Sequence, residues 1–426
     1  MSERGGLAPG PGYERRWETR GERRRGGGRS AGDAARTSYY DLPVIKVPHW
    51  KWYISAYFFL GGITGASYFV ATVADLLGGN DNRRIARAGR YLSLVALLPC
   101  PPLLILDLGR PERFLYMLRV LKLRSPMSLG TWMLLLFSLF STVSAAIQGA
   151  RDGLFGRRTA PARLLRALPA GAIGVLGAGP AFFIAGYTGV LLAATAVPLW
   201  TRNHLLLGPL FLASATANAT AALTAVLAPF PGAGGARRRL ARLNVLALAA
   251  ELALHQTARL RSGETIWRPM ETGRLGRLDR IGVLGLGIGV PLAVQVLGLL
   301  RWGGRGSPRA GSPRAGSPGA GLPAPLAAVT AGLTLAGGAL FRYVVVAAGK
   351  ASAADPQATL ALTRAPSLPG EVAGLEAQDD ALQGDGLHQP EGQAPAPAQA
   401  PPLPHHEVPG PGGGGPVRGR GVERSG

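Results

Sequence analysis

Between residues 53 and 348 the chain returns repeatedly to apolar runs long enough to cross a lipid bilayer. A helix rising 1.5 Å per residue needs about 20 mostly apolar residues to traverse a hydrocarbon core of roughly 30 Å. Such runs occupy approximately 53–77, 91–108, 130–149, 170–199, 205–230, 240–260, 281–300 and 324–348. Inside lipid every backbone N–H and C=O must be satisfied within the protein, so runs of this length are expected to be helices. The reading is therefore an all-α, polytopic membrane protein of about eight transmembrane helices, placed in the cell membrane. Tryptophans near the ends of the runs (Trp50 and Trp52, Trp132, Trp200, Trp302) fit this, since an indole favours the headgroup region. The sixth run carries Glu251 and His255 and looks more like a surface helix than the others do.

Only 16% of the 426 residues are charged, against about a quarter in a soluble domain. The formal charge of +22 would suggest nucleic acid in a soluble protein. Here most arginines lie in a tail and in short loops between apolar runs, where membrane proteins are ordinarily basic, so lipid is expected as the partner and nucleic acid is not. Cys100 is the only cysteine. Intramolecular disulfides, CxxC metal sites, Cys-ligated iron–sulfur clusters and covalent c-type haem are thereby excluded within this chain. A haem b site needs two facing histidines. His49 and His204 sit at span edges, His255 lies inside a span, and His388, His405 and His406 belong to the tail, so no haem pair is expected.

Three regions follow. Residues 1–45 form a basic arm with Arg23, Arg24 and Arg25 ahead of three glycines, expected to be disordered and without the apolar core of a signal peptide. Residues 46–350 form the membrane domain, interrupted over 303–323 by a flexible linker whose repeat SPRAGSPRAGSPGAG occupies 307–321. Residues 351–426, rich in Pro, Gly, Ala and Gln, are expected to be a disordered tail. The basic arm argues for a cytoplasmic N-terminus, whereas the Arg-rich loops after spans one, three, five and seven argue the reverse.

Ionisable residues within spans are costly, and each is a candidate for function. Asp75 ends the first span, Asp107 ends the second, Glu251 and His255 lie in the sixth, and Arg342 lies in the eighth. Glu251 and His255 are four apart, on one helix face, with Arg259 a turn further on. Such a row can hand protons along, or the pair can merely satisfy itself at a wet helix end; Asp75 is a further proton-path candidate. The densest motif is DLGRPERF from Asp107, followed by SPMSLGTW from Ser125. Gly109 and Pro111 break the second span and leave Asp107, Arg110 and Arg113 together at the membrane surface. Ser125-Pro126 then suits a helix start, serine as N-cap and proline in the first turn.

These two motifs, in this order and spacing, resemble the NrfD/PsrC family of membrane subunits in polysulfide-reductase-like oxidoreductases. PHWKWYISAYFFLGGITGASY at the first span, GYTGVLLAATAVPLW from Gly186 and GALFRYVVVAAGK from Gly338 agree with it. The similarity runs from about His49 to Lys350 and covers neither tail. The resemblance implies eight helices in two four-helix bundles, with no redox metal in this chain. It implies exchange of electrons between the quinone pool and a four-cluster iron–sulfur subunit, which connects to a molybdopterin or similar catalytic subunit. Quinone or quinol would then be the bound substrate, with His49, Tyr187 and Asp107 as candidates for its site and Arg110 and Arg113 for the pocket edge or partner docking. The alternative from another class is a proton or solute transporter using Asp75, Asp107, Glu251 and His255. Transporters of that kind usually carry internal repeats, and none is convincing here.

Overall fold

Each apolar run folds as a helix, and the helices close into two rings of four. The computed structural model describes residues 45–108, 112, 114–156, 158–303 and 322–364. Arg110, Arg113, the basic arm, the SPRAG repeat and the chain beyond 364 lie outside the described residues.

The first ring begins with α1 (Trp52–Leu77) and α2 (Asn80–Leu97), joined by Gly78 and Gly79, both at positive φ, a turn that favours glycine. The sequence places the second span at 91–108, but the helix starts earlier. Ile85, Ala86 and Gly89 are buried while Arg83, Arg84 and Arg87 face outwards, so its first turns are amphipathic rather than apolar. The helix breaks before Pro101-Pro102, which lack the N–H groups the ladder needs, and resumes as α3 (Cys100–Asp107). Cys100 is buried there, with its Sγ on the Ala96 carbonyl at 3.3 Å. After the short α4 (Phe114–Met117), α5 (Pro126–Asp152) starts as its sequence predicts: Ser125 Oγ accepts from the Ser128 N–H at 3.4 Å, with Pro126 in the first turn. The short α6 (Ala160–Ala167) leads into α7 (Ala170–Ala193). α1 packs on α2 and α7, and α5 on α2 and α7, which closes the ring.

The second ring follows α8 (Pro198–Arg202). Its members are α9 (His204–Leu227), α10 (Gly234–Glu271), a continuous rod made of α11 (Gly273–Arg277), a π-helical stretch (Leu278–Gly289) and α12 (Val290–Gly303), and α13 (Ala324–Ala354). α9 packs on α10 and α13, while the rod contacts both α10 and α13. The rings share a long seam in which α1 and α7 lie against α9.

The chain is thus an all-α, multi-pass membrane protein; no strand occurs among the described residues. Among the described residues, seven helices are long and apolar enough to cross a membrane on length and composition alone, set against the eight apolar runs. The exception is α10, the sixth run, whose Asn244, Glu251, His255 and Arg259 lower its hydropathy. From residue 234 to its kink at Gly263 (φ 69°) α10 nevertheless rises roughly 40 Å, more than a ~30 Å hydrocarbon core requires. Two further readings need correction. Trp200 is not an interfacial anchor: it is fully buried, stacked on Trp50 at 5.4 Å, with its Nε1 donating to the Val345 carbonyl at 3.1 Å. The helical part also passes the boundary drawn at 350, because α13 runs to Ala354 and α14 (Pro356–Arg364) folds against α8, α10 and α13.

Without a hydrophobic force between helices in lipid, close approach relies on small residues. The π stretch crosses α13 backbone to backbone: a Cβ on Gly287 would lie 2.6 Å from the Gly337 Cα, and one on Gly337 would overlap Gly287. Replacing Gly337 by leucine is expected to cost about 1–3 kcal/mol or more through overpacking. A clear drop in the melting temperature of the detergent-solubilised protein checks this, with Gly332→Leu, where nothing lies within 4 Å, as the neutral control.

Candidate functional site

At one end of the array the two extremities of the membrane domain meet. His49 is exposed just ahead of α1, and the neighbouring Trp50 carbonyl accepts from Lys350 Nζ near the end of α13. The stack of Trp50 on buried Trp200 fixes that junction, and Leu199 N donates to Ser352 Oγ at 3.2 Å beside it. Asp107, the last residue of α3, lies close enough to this junction to interact electrostatically with His49, Lys51 and Lys350. A carboxylate, an imidazole and two ammonium groups are thereby gathered at one end of the first ring. Tyr187 is placed differently. It is buried, stacks on Phe183 at 5.0 Å, covers Gly130, and donates its hydroxyl proton to the Pro126 carbonyl at 2.5 Å. Its O–H is therefore already given to the start of α5, and Tyr57 lies near it.

Asp75 belongs to the opposite end of the first ring. It pairs with Arg90 at 2.6 Å, Arg90 donates to Gln148 at 2.8 Å, and Gln148 donates to Asp152 at 3.1 Å. Asp152 also accepts from Arg87 and Tyr91 at 2.8 and 2.6 Å. Towards the middle of the ring hydroxyls continue the row, with Ser144 on Tyr68 at 2.9 Å, Ser141 on Ser93 at 3.0 Å, and Thr64 on the Ser93 carbonyl at 2.5 Å. Ser141, Ser144, Gln148 and Asp152 recur at helical spacing and form one inward face of α5.

The second ring holds its charges at its centre. Arg342, Glu251, His255 and Asp279 are 1%, 4%, 2% and 2% exposed. Arg342 donates to Ser214 Oγ at 2.6 Å and to the Phe211 carbonyl at 3.3 Å, with its guanidinium over the rings of Phe211 and Phe341 at 4.6 and 5.0 Å. Glu251 sits among Ser214, Arg342 and His255. His255 Nε2 meets Asp279 Oδ1 at 3.2 Å, while its Nδ1 has no protein partner. Glu251 and His255 thus face inward and are met by side chains of other helices. Arg259 departs from the row: it is half exposed and pairs with Glu271 at 2.7 Å. A cavity of about 300 Å³, lined by His255, Arg259, Trp267, Glu271, Asp279 and Arg280 among others, opens onto this row. On the other side of Glu251 the polar line resumes, with Gln295 donating to Asn244 at 2.7 Å and Asn244 to Thr220 at 2.8 Å. The proton-path candidates therefore divide, Asp75 in one ring and Glu251 with His255 in the other. Among the described residues no group of three His, Cys, Asp or Glu side chains is arranged to hold a metal ion.

Residues 45–298, more than half of the chain, match the family described as polysulphide reductase, NrfD. The chain belongs to the NrfD family. No curated protein matches it. NrfD proteins are membrane subunits of oxidoreductase complexes and usually partner with catalytic and iron–sulfur subunits. The matched region holds His49, Asp75, Asp107, Tyr187, Glu251, His255 and Asp279. Arg342 and Lys350 of this NrfD protein lie beyond it, yet both reach back to the clusters just described.

Sequence reasoning noted Arg342 but gave it no role, and it missed Asp279 and Ser214. An arginine inside GALFRYVVV has to be met by an anion on a facing helix, and that demand was the available signal. Removing Arg342 alone leaves the Ser214 hydroxyl and the Phe211 carbonyl without their donor and takes away the cation near Glu251. Arg342→Leu is expected to unfold the protein at markedly lower temperature, and Arg342→Leu with Glu251→Leu to regain most of the loss. Additive losses in that double-mutant cycle, read by thermal unfolding, would show the two groups to be independent.

Proposed function

We propose that this NrfD protein passes electrons between the membrane quinone pool and an iron–sulfur partner subunit, the substrate chemistry residing on a molybdopterin or similar catalytic subunit. The observation that carries the reading is the gathering of His49, Lys51, Asp107 and Lys350 at one end of the first ring. A quinone head group needs donors for its carbonyl oxygens and a group that takes or gives protons as electrons move. Imidazole and ammonium supply the former and the Asp107 carboxyl the latter. Tyr187 enters as a wall holding α7 against α5, because its proton is committed to Pro126. Arg110 and Arg113, three and six positions beyond Asp107 in the chain and outside the described residues, are the cations we assign to docking of an electron-transfer partner.

Purification from the native membrane in mild detergent tests the partner. An iron–sulfur protein in stoichiometric amount is expected, and an iron-free single species after chemical cross-linking would remove the electron-transfer reading. Asp107→Asn is expected to lower quinone-linked turnover roughly 100-fold, in the range of a lost proton-transfer group, with the protein still in the membrane. Unchanged turnover would take Asp107 out of the site.

A second reading rests on the second ring. The Glu251, His255 and Asp279 row, reached by a cavity at one end and continued by Asn244 and Gln295 at the other, supports passage of protons through the ring, either coupled to quinone chemistry or as the chain's own transport activity. In proteoliposomes with an imposed potential and an internal pH dye, the wild type is expected to pass protons faster than Glu251→Gln of equal content and melting temperature. Equal rates would leave the row structural.

A further inference from the structure

A groove lies between the two rings at the end opposite to His49 and Asp107. Its cavity is about 410 Å³, and α1, α2, α7, α9 and α10 all contribute to its walls. Along α1 its lining runs from Ala66 to Leu77, roughly 16 Å at 1.5 Å per residue, which equals the hydrocarbon depth of one leaflet. The walls are apolar: Phe69 and Phe182 meet at 5.6 Å along its lip, and the Thr216 hydroxyl is spent on the Leu212 carbonyl at 2.9 Å. The lip is open towards lipid, since Phe69, Val73, Leu77 and Phe182 are all exposed.

The polar end of the groove is cationic. Arg239 and Arg242 line it on the first turns of α10, just where the chain emerges from the loop after α9. Arg239 lies 3.9 Å from Asp81 and is half exposed, so that carboxylate takes up only part of one charge. Arg242 is exposed and has no ion-pair partner among the described residues. Two guanidinium groups at headgroup depth above an apolar slot one leaflet deep are complementary to a phosphodiester carrying an acyl chain. A neutral quinone ring would leave both cations unanswered.

We propose that this groove is a binding site for an anionic phospholipid, with one acyl chain lying along α1 against Phe69 and Phe182 and the phosphate held by Arg239 and Arg242. The site is independent of the quinone reading, because none of its residues belongs to the His49 and Asp107 cluster. Its occupant wedges the seam where the two rings meet.

Native mass spectrometry of the full chain released from nanodiscs of equal phosphatidylglycerol and phosphatidylcholine content tests this. The wild type is expected to retain one phosphatidylglycerol in preference to phosphatidylcholine by roughly thirtyfold, the effect of two arginines near an anionic surface. Arg239→Gln with Arg242→Gln should bring the two lipids level. Val73→Trp, at an exposed position on the lip, should fill the slot and reduce retention of both, with Arg242→Gln alone giving an intermediate preference should the double variant fold poorly. Equal retention of the two lipids by the wild type, or a preference unmoved by the arginine changes, would overturn the proposal. So would a quinone retained in place of a lipid when native membranes are the source.

Discussion

A guanidinium inside a helix bundle in hydrocarbon is too costly to stand alone, and much of the second ring follows from answering Arg342. Its two terminal nitrogens donate to Ser214 and to the Phe211 carbonyl on α9, Glu251 on α10 lies near it, and its Nε has no protein partner. Two phenyl faces, Phe211 and Phe341, cover the rest of the group. Three helices are thereby fixed in register by one side chain. The same demand explains why α10 is polar on one stripe. Asn244, Glu251 and His255 are spaced seven and four apart and all point into the ring, so the helix that looks least like a membrane span is the one that neutralises the others.

The first ring solves the problem with weaker groups. Its centre carries hydroxyls, which satisfy one another or backbone carbonyls at modest cost, and its charges are kept to the ends, Asp75 with Arg90 at one and Asp107 with Lys350 at the other. Small residues let the helices close around these networks. A Cβ on Gly89 would come within 2.7 Å of the Ala71 side chain, and one on Gly287 would meet α13. Both rings thus hold polar rows at their centres and apolar residues on their lipid faces, an arrangement that the bilayer imposes on any chain carrying such groups.

How legible this was depended on how local each signal is. Span positions came from runs of apolar residues and held to within a few residues at α1, α5 and α9. The cap at Ser125 was legible because it needs only two neighbouring residues. The start of α2 was hidden because its first turns are amphipathic, and the span-like character of α10 because its polar residues are answered by partners distant in sequence. Trp200 misled for the same reason: an indole at the end of an apolar run suits the headgroup region, but here Trp50 and the Val345 carbonyl, 150 and 145 residues away, draw it inside. Asp279 escaped notice as a residue just outside a span until the π stretch carried it back against His255. The family itself was readable from DLGRPERF and SPMSLGTW, since those motifs are contiguous.

Helix directions add one constraint on how the parts can work together. α1 begins and α3 and α13 end at the His49 and Asp107 junction, and α10 ends on that same side, so the cavity beside His255 and Asp279 opens there too. The charged row of the first ring, by contrast, runs from Thr64 towards Asp75 and Asp152 and opens on the opposite side. A quinone handled at the Asp107 junction would therefore have the polar row of the second ring opening on its own side and that of the first ring opening on the other. The first ring leads away across the membrane through hydroxyls, and the second leads inward from the same face through Asp279, His255 and Glu251. Hydroxyl rows relay protons only by turning over in concert, whereas a carboxylate and an imidazole can each hold a proton between transfers. On that chemical ground the second ring is the better store of protons and the first the better bridge, which gives the two bundles separate parts in any coupling of quinone turnover to proton movement.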